Sequence, residues 1–237
     1  MKHNPKQFFK YLNSKRKIKS GVSELKNEKG EIIESVHENA NILGNFFAST
    51  FVCESSEHFN DINFTKKYTD NEIGDVDFDN EEIRTLLSEI NVCKSQGPDD
   101  VHPKLIKTLS ENGEFVDAVT KLFKQCYETG MLPDIWKTAK VTAIHKKGLK
   151  CDAQNYRPIS LTCILCKVFE KTIRSHVLKH FEPFIHSSQH GFLNGKSCLS
   201  NLLNCFDKID ELLANDTDID ILYLDFQKAF DTVPHKL

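Results

Sequence analysis

The chain has 237 residues, of which 39% are hydrophobic and 27% charged, and a formal net charge of −3. This balance allows one large domain or a domain with an extension, and it excludes a disordered chain. No apolar run reaches the roughly eighteen residues of a membrane span, and the N-terminus MKHNPKQFFKYLNSK lacks the apolar core of a secretory signal. The expected location is therefore the nucleus or the cytoplasm, with no membrane partner and no secretion.

In chain order, PKQFFKYLNSKRK reads as a short basic helix with Phe8, Phe9 and Leu12 at helical spacing. NEKGEII predicts a tight turn at Lys29-Gly30 leading into an apolar strand. From Val36, the residues Ala40, Leu43, Phe47 and Phe51 recur at helical intervals. The polar, acidic stretch that follows has no clear period and reads as a linker. Asp79, with Glu82 three residues later, marks a helix start whose apolar face carries Ile83, Leu86, Leu87 and Ile90. Gly97-Pro98 breaks the pattern, Pro103 is well placed to open a helix, and a further helix stops at Gly130.

TAKVTAIHKKG predicts a strand ending in a basic turn. NYRPISL is extended, because Pro158 disfavours helix at Arg157. CILCKVFEKTIRSHVLKHF and SCLSNLLNCFDKIDELLAN are helices on either side of the glycine-punctuated loop SQHGFLNGKS. DIDILYLDF closes the series as a strand whose Ile219, Ile221, Leu222, Tyr223 and Leu224 are too apolar for a one-sided surface strand. The class is α/β or α+β, rich in helix.

Eight cysteines stand at 53, 93, 126, 151, 163, 166, 198 and 205. The one CxxC, Cys163–Cys166, has no second pair at zinc spacing, so core packing is expected rather than a metal site. Charge is unevenly distributed. Lys2, Lys6, Lys10, Lys15, Arg16, Lys17 and Lys19 crowd the first twenty residues without an acid. A second basic zone runs from Lys137 to Lys179, whereas Glu54 to Glu89 is acidic. A charge run is usually a solvated face, but a basic strip followed by carboxylates also suits an enzyme that handles polyanions with a metal.

Asp225, after four apolar residues, needs solvent, hydrogen bonds or a cation. Spacing alone leaves two readings open, a ligand to a divalent metal or a helix cap; for Asp231, before Thr-Val-Pro, the cap is favoured. Asp216, Asp218 and Asp220 imitate a calcium loop, but Ile221 replaces its glycine and Gln227 its glutamate. Gln227 also stands where an aspartyl phosphatase would carry a second Asp, so both of these readings fail.

GPDDVHPKLIK, LPDIWKTAKVTAIHKKG, NYRPISLTCILCKVFEKTI, SQHGFLNGKS and LYLDFQKAFDTVPHKL follow one another in order. Together they resemble the reverse transcriptases of non-LTR retrotransposons of the jockey and chicken-repeat type, over about residues 81–237. FFKYLNSK and LGNFFASTF resemble the segment that joins endonuclease and polymerase in those elements. The resemblance implies an N-terminal extension over 1–53, an acidic linker over 54–80, and a partial polymerase domain over 81–237. That domain would hold the fingers and the first palm strand of a right-hand fold, with the palm incomplete and the thumb absent.

The resemblance further implies RNA-directed DNA synthesis on an RNA template and DNA primer, from deoxynucleoside triphosphates, by two-metal phosphoryl transfer with Mg2+. Asp225 matches the first catalytic Asp, and the carbonyl of Phe226 an accessory metal ligand. Phe230 matches the aromatic gate under the sugar, although its bare reading is core packing. Arg157 matches the cation that grips the triphosphate, and Lys146 a second one, with His145 where the family usually has Pro. Gln189, Gly191 and Phe192 match a loop near template and primer, where Lys196 and Ser197 would touch a phosphate. GPDD departs from the family's GPDG at Asp100. The family's paired Ala-Asp-Asp is not found before Leu237, so the expectation is an inactive fragment of marginal stability. The alternative is a remnant that binds RNA or DNA without catalysis.

Overall fold

The computed structural model describes residues 22–27, 29–51, 72–226, 229 and 233. The basic helix expected over residues 5–17, most of the linker, Phe230 and Asp231 lie outside the described residues. The described chain is mixed and helix-rich, and its contacts divide it into two units.

The first unit holds described residues from 22 to 51 and from 141 to 160. Strands β1 (Leu25–Lys26) and β2 (Ile32–Ile33) pair antiparallel, Leu25 opposite Ile33. The expected turn between them is present: Gly30 takes φ 82°, which a glycine adopts without steric cost, and donates its N–H to the Asn27 carbonyl at 2.9 Å. Helix α1 (Val36–Ala48) follows, capped by the Ser35 hydroxyl. Buried Asn39 ties this helix to the hairpin. Its Oδ1 accepts from Leu25 N–H at 3.0 Å and its amide donates to the Ile33 carbonyl at 3.0 Å. The helix ends before Phe51, where the hydroxyls of Ser49 and Thr50 turn back onto the carbonyls of Phe46 and Phe47.

Strands β3 (Lys140–His145) and β4 (Tyr156–Leu161) form a second two-stranded sheet. Leu25, Leu43, Phe47 and Tyr156 are buried together, with Ala143 packed against them. Successive side chains of a strand face opposite sides. Tyr156 and Pro158 therefore face α1, and Arg157 and Ile159 face away. A two-stranded sheet leaves each strand one unpaired edge, which is where Pro158 is tolerated.

The second unit is helical. It contains α2 (Asn80–Ser88), α3 (Pro103–Leu109), α4 (Gly113–Thr129), α5 (Ile164–Phe181) and α6 (Cys198–Ala214). The starts of α2 and α3 follow the sequence signals. Asp79 accepts from the N–H groups of Glu81 and Glu82, Pro103 opens α3, and Asn112 caps α4. Gly130 stops α4 in the left-handed region at φ 65°. The core is aromatic: Phe78 stacks on Phe169 with centroids 5.8 Å apart, and Phe123 meets Phe169 at 5.3 Å and Trp136 at 6.0 Å. Ile83, Leu87, Ile106 and Val116 complete it. Fully burying each such apolar side chain contributes about 2 kcal/mol.

The GPDD loop packs on the start of α5. A Cβ on Gly97 would lie 2.7 Å from the backbone of Cys163 and Thr162, so only glycine permits this approach. Asp100, the departure from GPDG, sits at φ 54°. The position demands the left-handed conformation that glycine takes freely and aspartate tolerates. Its carboxylate pairs with Lys140.

Two expectations are corrected. Residues 218–226 form no strand: they pair with nothing among the described residues, and Leu222, Tyr223 and Leu224 are over four-fifths exposed. A buried strand needs neighbours on both edges and both faces, and none is provided here. Core packing holds for Cys126, Cys163 and Cys166 but not for Cys93, Cys198 and Cys205, which are exposed.

Candidate nucleotide and nucleic-acid site

The residues singled out in the sequence fall in both units. Arg157 and Lys146 belong to the first, and Gln189 to Ser197 and Asp225 to the second.

Arg157 is the second residue of β4, exposed, on the sheet face opposite α1. Lys146 directly follows β3, and its N–H donates to the Asn155 carbonyl at 2.7 Å, closing the base of the connection between the strands. That connection is tightly built. The Asn155 amide donates to the Leu149 carbonyl at 2.9 Å, and the Tyr156 hydroxyl to the Lys150 carbonyl at 2.7 Å. The His145 ring lies 3.1 Å from the Gly148 carbonyl. Gly148 adopts φ 80°, with the Asn155 side chain filling the space a Cβ would need. Lys146, Lys147, Lys150 and Arg157 are exposed on this support, and none pairs with a carboxylate among the described residues. By contrast Lys137, Lys140 and Lys171, in the same basic zone, are held by Asp134, Asp100 and Glu89. Ion pairing thus separates a neutralised part of the zone from an unpaired one among the described residues, which the sequence alone does not distinguish.

The SQHGFLNGKS loop is held by its own groups. Gln189 donates from its amide to the Gly191 carbonyl at 3.0 Å, and Arg174 from α5 donates to the Phe192 carbonyl at 3.1 Å. Phe192 sits at φ 63° with its ring 84% exposed, an uncommon conformation for a bulky residue and a costly one to leave in water. A Cβ on Gly191 would meet only the Gln189 amide, at 3.4 Å, so the backbone there is open to a ligand. Lys196 and Ser197 have structural engagements. The Lys196 ammonium donates to the Ser187 carbonyl at 3.2 Å, and the Ser197 hydroxyl caps α6 in a reciprocal box with Ser200.

One residue of this loop was not singled out from the sequence. His190 is buried, with Nδ1 2.9 Å from the Ser200 hydroxyl, and Nε2 is buried without a partner. It ties the loop to the capping box that starts α6. The only signal was its place inside the motif, since a His–Ser contact across ten residues has no recognisable spacing.

Asp225 and Phe226 lie in the unpaired segment without regular structure, both exposed. Among the described residues no group of three or more His, Cys, Asp or Glu side chains is placed to hold a metal ion. One exposed carboxylate and one carbonyl do not fit a two-ion magnesium site, which draws on several carboxylates and phosphates. The cysteines are no substitute. Burial, reinforced by Glu170, pushes the Cys166 thiol up to about 12, and burial with Asp99 nearby raises Cys163, so both are protonated packing groups at neutral pH. Among the described residues no helix is long and apolar enough to cross a membrane.

Residues 144–237 match the family model described as reverse transcriptase (RNA-dependent DNA polymerase). The chain is 28% identical over 158 residues to the RNA-directed DNA polymerase from mobile element jockey of Drosophila melanogaster, covering 65% of this chain and 17% of that protein. It is 27% identical over 158 residues to the probable RNA-directed DNA polymerase from transposon BS of the same species, with the same coverage. A 149 kDa uncharacterized protein of transposon TX1 from Xenopus laevis is 26% identical over 116 residues, 49% of this chain and 9% of that protein. The chain thus spans about 17% of the length of the Drosophila relatives it matches.

Proposed function

We propose, on the premise that residues 144–237 belong to the reverse transcriptase family, that this chain is a nucleotide- and nucleic-acid-gripping segment of an RNA-directed DNA polymerase of a non-LTR mobile element. The whole activity would be primer extension on an RNA template with deoxynucleoside triphosphates and Mg2+, in the nucleus or the cytoplasm. In this reading residues 1–53 are an extension, 54–80 a linker and 81–237 the fingers with the first palm segment.

One observation carries the reading: the exposed, unneutralised cations Lys146, Lys147, Lys150 and Arg157 on a hydrogen-bonded support. Arg157 presents a planar fork to phosphate oxygens, and Ile144 and Ile159, on its open sheet face, offer apolar area to a base or sugar. Lys146 adds a point charge at the end of β3. Gln189, Gly191 and exposed Phe192 offer a second surface, where an aromatic ring can stack on a base. Lys196 and Ser197 serve this loop by holding its shape. Asp225 and the Phe226 carbonyl are what the described segment would contribute to a metal-binding set. Phe230 is retained as the sugar gate on the resemblance alone.

A second reading, binding without catalysis, is favoured by two separate features: the exposed, unpaired state of residues 218–226 and the well-built support under the β3–β4 cations. Both readings place phosphate binding on the same cations. Purified chain titrated with an RNA–DNA hybrid at rising salt should show log affinity falling with log salt, at a slope of about −3.6 if these four cations each neutralise a phosphate. Affinity indifferent to ionic strength would refute both. Magnesium-dependent primer extension by the purified chain would refute the binding-only reading and the expectation that this segment is inactive by itself.

A further inference from the structure

The first unit contains an apolar groove of about 690 Å³ that the polymerase reading does not use. Its floor is α1, where Ala40, Gly44 and Ala48 recur every four residues and expose a shallow strip along the helix. Val141 and Pro158, on the α1-facing side of the sheet, form one wall, and Val22 stands at an end. A Cβ built on Gly44 meets nothing within 4 Å, so the strip opens onto unfilled space. Apolar surface of this extent favours a covering group, because each Å² removed from water contributes roughly 25 cal/mol.

We propose that the groove is the docking site of this chain's own N-terminal segment, residues 5–17, through Phe8, Phe9 and Leu12. Continuity is the first argument. Val22 lines the groove, and only four residues, 18–21, separate it in sequence from the segment. Length is the second. Thirteen residues at helical rise span about 20 Å, the length of the 13-residue α1. Chemistry is the third. Small residues at every fourth position let a second helix approach closely, and two phenylalanines and a leucine at helical spacing present the volume the groove lacks. Charge is the fourth: exposed Glu34 and Glu38 flank the start of α1, and Lys6, Lys10, Lys15, Arg16 and Lys17 accompany the apolar residues of the segment. Docking would hold a basic arm against the unit that carries Lys146 and Arg157. The inference stands whether or not the chain takes part in polymerisation.

Amide hydrogen exchange followed by mass spectrometry on the full chain tests it. Peptides covering residues 5–17 should exchange more slowly than an unstructured chain. Replacing Phe8 and Phe9 by Asp should speed exchange of 36–48 about tenfold and leave 113–129 unchanged. Gly44→Phe fills the groove from its floor and adds a better helix former, so it should free 5–17 while 36–48 stays protected. Exchange of 5–17 at the unprotected rate in the parent chain would overturn the proposal. So would protection of 36–48 that ignores the phenylalanine substitutions and rises with protein concentration, which would assign the groove to a second copy.

Discussion

The strand pair that carries Arg157 and the segment that carries Asp225 contain the two residues the sequence marks most strongly, yet they are built in opposite ways. The first is closed by contacts within about twenty residues: Lys146 to Asn155, Asn155 to Leu149, and Tyr156 to Lys150. Its inner face is sealed by Tyr156 against α1. The second is a run of apolar residues without regular structure, with no pairing among the described residues and most of its side chains in water. A cation site made from a turn can form by itself. A carboxylate at the end of a buried strand acquires its geometry only from the strands beside it.

The largest expected effect that sharpens this contrast is Tyr156→Ala. It removes a buried ring and the bond that holds the Lys150 carbonyl, and should cost the first unit about 3 kcal/mol in urea unfolding. Gly148→Ala should cost about 1–2 kcal/mol by the same measurement, because it forces a side chain to φ 80° and displaces Asn155 from Leu149. It should also weaken hybrid binding, since the basic turn loses its shape. At the other end, Leu224→Asp should leave stability unchanged within about 0.5 kcal/mol, as expected for a residue 86% exposed. A loss of several kcal/mol there would break the comparison by showing that the segment is packed in solution.

What was legible in the sequence follows the same division. Asp79, Pro103 and Gly130 mark helix ends through interactions with their own neighbours, and they stand where the pattern puts them. The turn at Gly30 and the extended backbone before Pro158 were equally readable. The strand expected at 218–226 was misread because apolarity reports what a segment could bury, not whether a partner is present. Asp100 appeared as a mere departure from a motif until its φ of 54° explained why the position favours glycine. Gly97's approach to Cys163 joins residues distant in the chain, and the His190–Ser200 contact bridges ten residues without a recognisable spacing, so nothing in the local pattern announces either. Of the candidate site, the residue types were readable and their states were not. Which cations are free, and that Ser197 is a cap, are facts of packing.

The account holds that phosphate binding by this chain resides on the β3–β4 cations and does not depend on Asp225. The most direct test is equilibrium binding of a fluorescent deoxynucleoside triphosphate to the parent chain, Arg157→Ala and Asp225→Asn at one salt concentration. Arg157→Ala should weaken binding about tenfold, which corresponds to about 1.4 kcal/mol, and Asp225→Asn should leave it within about twofold. Equal losses in both variants, or a loss confined to Asp225→Asn, would contradict the account.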